Sequence, residues 1–79
     1  MSWENEQRRN EWAARMLGLD PLEGGQGVYR DDNCFVDRAD EEGKTVAFIV
    51  LDSNGHEVLM AADGHHGWAV PDDLKLGLV

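Results

Sequence analysis

The hydrophobic period of this chain changes once, and that change limits what it can build. Up to Gly18 the apolar residues recur at helical spacing, and from Val28 onward they alternate or run in β-branched blocks. A face that repeats every 3.6 residues and a face that repeats every two cannot belong to one element, so a helix must come first and a sheet after it. Trp12, Ala13, Met16 and Leu17 form a narrow apolar stripe. Ser2 suits the N-cap, Glu4 and Glu6 lie in the first turns, and Arg15 lies in the last, which complements the helix dipole. Glu4–Arg8 and Glu11–Arg15 are i,i+4 pairs in the favourable order. Gly18 fits the C′ position, and Pro21 stops continuation. The spacing predicts a helix over about residues 3–17.

The glycines at 24, 25 and 27 make residues 20–27 a loop; no Lys-Ser/Thr follows to make it a phosphate loop. Val28 to Arg30 and Cys34 to Ala39 read as short strands. Thr45 to Leu51 is the strongest strand, apolar or β-branched at every position, and is expected at the sheet centre with both faces covered. Asn54-Gly55 marks a hairpin, Glu57 to Ala62 the return strand, and Trp68 to Val70 a last short strand ended by Pro71. Residues 72–76 suit a helical turn or an edge strand equally. The expected fold is α+β, one N-terminal helix packed on a four- or five-stranded antiparallel sheet, with a β-meander over about 28–70. The chain of 79 residues is expected to be a single small domain, 1–79. Trp12, Met16, Leu17, Val46, Phe48, Val50, Val58 and Met60 are expected to form one core, so that Phe48→Ala would cost about 3–5 kcal/mol.

Charge limits the partners. Residues 1–19 balance, whereas residues 20–79 hold thirteen acids against four bases, the whole of the net charge of −9. Such a surface repels phosphates and anionic lipid, so neither direct nucleic-acid binding nor membrane binding is expected. No apolar run reaches membrane-spanning length, and the N-terminus lacks the apolar core of a signal peptide, so a cytoplasmic protein is expected. Cys34 is the only cysteine, so no disulfide supports the small core and a homodimer is the expected remedy.

Cys34, His56, His65 and His66, with Asp52 and Asp63 nearby in sequence, are the only cluster with ligand chemistry, but no metal-binding spacing joins them. On a meander, His56 and the His65-His66 pair fall at opposite ends of the sheet. Ser53-Asn54-Gly55-His56 reads as a turn rather than as part of a catalytic set. No metal, cofactor or catalytic residue is therefore assigned, and no enzyme activity is expected.

The candidate partner-binding residues are Asp31, Asp32, Asp37, Asp40, Glu41, Glu42 and Trp3. Residues 31–42 hold six acids against Arg38 alone. Carboxylates on alternate strand residues lie about 6.5–7 Å apart, close to the spacing of successive phosphates along a nucleic-acid strand. Trp3 lies off the Trp12 stripe, where it serves either as a binding anchor or as a cap on a small core or dimer contact. In size, acidity and lack of a catalytic motif the chain resembles the small phage-encoded inhibitors of bacterial defence, the anti-CRISPR and anti-restriction proteins. The resemblance rests on gross properties of the whole chain and on no motif, so no functional residue is carried over. It implies a non-enzymatic protein that blocks a basic, nucleic-acid-binding protein surface. Two other readings stay open: a homodimeric accessory or antitoxin-like module, and a small metal-binding or hydrolytic protein using Cys34 and the histidines.

Overall fold

A computed structural model describes residues 3–19, 28–31, 33–38 and 40–78, with the backbone alone at 3, 4 and 28–31. The expected Ser2 cap, the loop 20–27 and Asp32 lie outside the described residues. Among the described residues one α-helix, α1 (Trp3–Leu17), is followed by five strands: β1 (Val28–Asp31), β2 (Cys34–Asp37), β3 (Thr45–Leu51), β4 (Glu57–Ala61) and β5 (Gly67–Ala69). The strands pair antiparallel in chain order, so β3 is central, as expected of the most apolar strand. A 3-10 turn, Asp72–Leu74, follows Pro71, which resolves the choice left open for this segment.

The helix stops where Gly18 stands. Gly18 has φ +73°, its N–H donates to Arg15 O at 3.3 Å, and Leu19 N–H donates to Ala14 O at 2.8 Å. This pair of bonds is a Schellman cap, and only a residue free to enter left-handed space closes it without strain. Leu19 then folds back onto the core.

The core lies between α1 and one face of the sheet. Ala13, Ala14, Phe35, Ala47, Ile49 and Leu59 are wholly buried, joined by Val70 and Leu74 from the C-terminal segment. The small alanines sit where helix meets sheet, while Trp12, Met16 and Leu17 pack around them, half-buried. The expected core is therefore corrected on the sheet side. Ala47 and Ile49 point inward, and Phe48 and Val50 point outward, 41 % and 38 % exposed. Their neighbours Val58 and Met60 lie on the same outer face, because they pair with Val50 and Phe48. The expectation that β3 is covered on both faces fails for the same reason. One helix covers one face, and no second layer lies over the other among the described residues.

A bulge fixes the crossing between the two faces. Phe35 pairs with Ala47 but Val36 pairs with Thr45, so Val46 is an extra residue in β3. Val46 packs toward the core, and Thr45 moves to the outer face, where its Oγ1 lies 3.7 Å from Cys34 Sγ.

The C-terminal segment is tied into this layer by two buried charged groups. Arg9, 5 % exposed on α1, donates through Nε to Leu74 O and through Nη2 to Lys75 O at 3.2 Å. Glu57, 3 % exposed at the start of β4, accepts the N–H groups of Leu76 and Gly77 at 2.7 Å and of Leu78 at 3.1 Å. Gly77 has φ +81°, the turn that lets successive N–H groups converge on one carboxylate.

Candidate functional site

An antiparallel meander sends alternate connections to opposite ends of the sheet, and the candidate acids divide accordingly. The β2–β3 connection (38–44) and the β4–β5 connection (62–66) share one end; the β1–β2 and β3–β4 connections share the other. Asp37, Asp40, Glu41 and Glu42 are together at the first end. Asp31 pairs through its backbone with Cys34 at the other end. The side chains of Asp31 and Trp3, and the whole of Asp32, lie outside the described residues. The phosphate-like ladder of carboxylates on alternate strand residues is not built: the outward positions of β2 are Cys34 and Val36, and Asp37 alone brings a carboxylate to that strand.

At the first end the chain makes a tight polar loop. Asp37 N–H donates to Lys44 O at 2.8 Å, and Gly43 N–H donates to Asp40 O at 3.0 Å with Gly43 at φ +64°. Asp40 Oδ1 accepts Glu42 N–H at 2.9 Å, the Asx arrangement that makes aspartate a turn residue. Asp40, Glu41 and Glu42 are all exposed, and none of them makes an ion pair among the described residues. Arg38 and Lys44 stand at the two feet of the loop, outside the tip.

The other exposed acids are matched. Asp63 Oδ2 lies 2.9 Å from His66 Nδ1, Asp72 Oδ1 lies 2.9 Å from Lys75 Nζ, Asp52 Oδ2 lies 4.0 Å from His56 Nδ1, and Asp73 pairs with Arg8. Arg8 thus has an ion partner 65 residues away in addition to any reach along its own helix. Backbone donation from His56 leads the effects that hold the Asp52 carboxyl below its ordinary range. His65 N–H, then the His66 ring, do the same for Asp63. The Asp72–Lys75 pair lowers the acid and raises the base. These carboxylates cap turns: Asp52 Oδ1 accepts Asn54 N–H at 2.9 Å and His56 N–H at 2.8 Å, and Asp63 Oδ1 accepts His65 N–H at 2.7 Å.

The groups considered for ligand chemistry are dispersed. Cys34 faces outward from β2, His56 lies in the β3–β4 hairpin, and His65 and His66 lie at the opposite end. Among the described residues no three His, Cys, Asp or Glu side chains come together to hold a metal ion. The His66 ring instead stacks on Trp68 at 6.4 Å between centroids. No helix among the described residues is long and apolar enough to cross a membrane.

Sequence reasoning missed the outer sheet face. Its described side chains are Cys34, Val36, Phe48, Val50, Val58 and Met60, bordered by Thr45 and Ala69, with no charge among them. The face is contiguous because each pair is in register: Cys34 with Phe48, Phe48 with Met60, and Val50 with Val58. The signal available in sequence was the uninterrupted apolar run of β3, which has a residue for each face at every step. The described side chains of the outer sheet face are thus uncharged, and at one end of the sheet stands an acidic tip that makes no ion pair among the described residues. Comparisons with protein-family models, with curated proteins and with solved structures return no match for this chain.

Proposed function

We propose that this chain is a non-enzymatic binding protein that docks its acidic hairpin tip on a basic protein surface and excludes that surface's natural ligand. The observation that supports it is the contrast in ion pairing. Asp40, Glu41 and Glu42 project from one loop and make no ion pair among the described residues, whereas Asp52 and Asp63 each meet a histidine, Asp72 meets Lys75 and Asp73 meets Arg8. Uncompensated charge at a tip steers a partner of opposite sign from beyond a Debye length of about 8–10 Å at moderate salt. The partner class is a basic, nucleic-acid-binding protein, of the kind small phage inhibitors block. Asp37, at the foot of the same hairpin, belongs to this surface; Asp31, at the other end of the sheet, adds to the long-range field and not to the same contact. The mechanism is steric and electrostatic, takes place in the cytoplasm and involves no covalent step.

The structure dictates how to test this. Asp40 holds the loop through its Asx bond to Glu42 N–H, so reversing its charge would also loosen the turn. The variant Asp40→Asn, Glu41→Lys, Glu42→Lys keeps an acceptor oxygen at 40 and reverses the field of the tip. Affinity capture from bacterial lysate, compared between wild type and variant at low and high salt, reads the outcome. Wild type should retain basic nucleic-acid-binding proteins at low salt and release them at high salt, and the variant should retain them at neither. If the folded variant captures the same proteins as wild type, the tip is not the docking surface.

A further inference from the structure

We propose that the outer sheet face is a homodimer interface, and that a second copy of this chain covers it in an isologous β-sandwich.

Three features of the face point to a second copy. First, the face is apolar at its centre, where Phe48 and Val50 of β3 are large apolar side chains left exposed to solvent. Second, a chain of net charge −9 can approach its own copy closely only where the centre of the contact lacks carboxylates. The described side chains of this face carry none, and the one strand acid that the register assigns to it, Asp31 opposite Cys34, ends the edge strand β1, two strands from β3. An apolar centre with that acid at its border suits an identical, equally acidic molecule. Third, the area is sufficient. A strand residue occupies about 16 Å² of sheet plane, so the five strands present about 370 Å² in projection, roughly half as much again in accessible area, and a face-to-face pair removes about 1,100 Å² in total. That clears the ~1,000 Å² needed for a specific interface.

The monomer also needs the cover. Among the described residues only Phe35, Ile49 and Leu59 are large side chains buried completely, a small core for a chain without a disulfide. In the dimer, the two-fold axis lies between the two sheets, parallel to them and over β3, so Phe48 and Val50 of one copy pack against the same residues of its partner. The two sheets then stack about 10 Å apart with strands inclined by about 30°, as twisted sheets require. The surface around Gly67 is already level: a Cβ there would come within 3.2 Å of Val58 Cγ1 and 3.3 Å of Met60 Cε, so these side chains lie across the β4–β5 groove. The acidic tip 40–42 stays free in this arrangement, so the dimer presents two of them.

Sedimentation equilibrium of the full chain at on the order of 10 µM should return twice the 8.8 kDa chain mass. Phe48→Lys and Val50→Lys each place a cation near the two-fold axis against its own copy, at positions solvent already reaches, so the fold is retained. Each should raise the dimer dissociation constant by at least about 100-fold, with an unchanged far-ultraviolet spectrum. Cys34 gives an independent readout in the wild-type protein. It is the register partner of Phe48, so its alkylation by a maleimide should be slow in the dimer and accelerate on dilution. Added salt should leave association unchanged or tighten it, because it screens two like-charged copies. The tip variant Asp40→Asn, Glu41→Lys, Glu42→Lys should dimerise as wild type does, which separates this proposal from the binding function. A monomer mass at that concentration, or a dimer that survives both lysine variants with a concentration-independent Cys34 reaction, overturns it.

Discussion

Replacing Glu57 by Gln tests how the C-terminal segment is held, and the structure supplies the magnitude. Burial pushes the Glu57 carboxyl upward, but the N–H groups of Leu76, Leu78 and Gly77 and the charge of Lys75 outweigh it, so it titrates below its ordinary value of 4.5. Glutamine keeps one acceptor oxygen for Leu76. It turns an NH2 toward Gly77 and Leu78, which are also donors. Two charge-assisted bonds are lost at about 1.5–3 kcal/mol each, partly offset because the freed N–H groups reach water and no charge remains to desolvate. The net cost is about 2–3 kcal/mol, which for a domain of this size lowers the melting temperature by roughly 10–20 °C.

The pH dependence has a definite sign. A carboxyl whose folded pKa is depressed stabilises fully above its unfolded value and loses that contribution as pH falls through the folded value. Wild type should therefore exceed Glu57→Gln by the full gap near neutrality, and the gap should close progressively below about pH 4.5. Asp52, Asp63 and Asp72 are also depressed, but they titrate in both proteins and cancel in the difference. Thermal unfolding followed by circular dichroism from about pH 7 down to about pH 3 measures the gap. A gap that stays constant across that range, or none at neutrality, would refute the account of Glu57 as an ionised clamp.

Two further substitutions check the layer and the turn. Ile49→Ala should cost about 3–4 kcal/mol in urea unfolding, and Phe48→Ala, on the outer face, less than about 1 kcal/mol in dilute monomer; the reverse order would restore the other face as the core. Gly55→Ala should cost about 1 kcal/mol through backbone strain alone, since Gly55 has φ +78° and a Cβ there meets nothing within 4 Å. An unchanged unfolding midpoint would show that the hairpin tolerates another backbone geometry.

The amino-acid sequence alone determined the elements, their order and where several of them end. Each depends on contacts between residues a few positions apart: the Gly18 cap on Ala14 and Arg15, the Asp52–His56 turn, and the alternation within β2. Local chemistry is written locally, so it can be read without the fold. The tertiary structure decided what a period cannot carry. Thr45 to Leu51 is apolar at nearly every position, so its two-residue period has no phase, and sequence cannot say whether Phe48 or Ile49 turns inward. The choice falls to the Val46 bulge and to Asn33, whose carbonyl accepts Ile49 N–H and whose Nδ2 donates to Ile49 O, both bonds formed only once β2 lies beside β3. The buried roles of Arg9 and Glu57 were hidden for a related reason. Their partners, Leu74 and Lys75 for Arg9 and residues 76–78 for Glu57, are backbone groups far along the chain, and a main-chain N–H or C=O leaves no mark in the sequence. The division of the acids between two ends of the sheet has the same origin: strand reversal, not residue type, sends Asp31 one way and Asp40 to Glu42 the other.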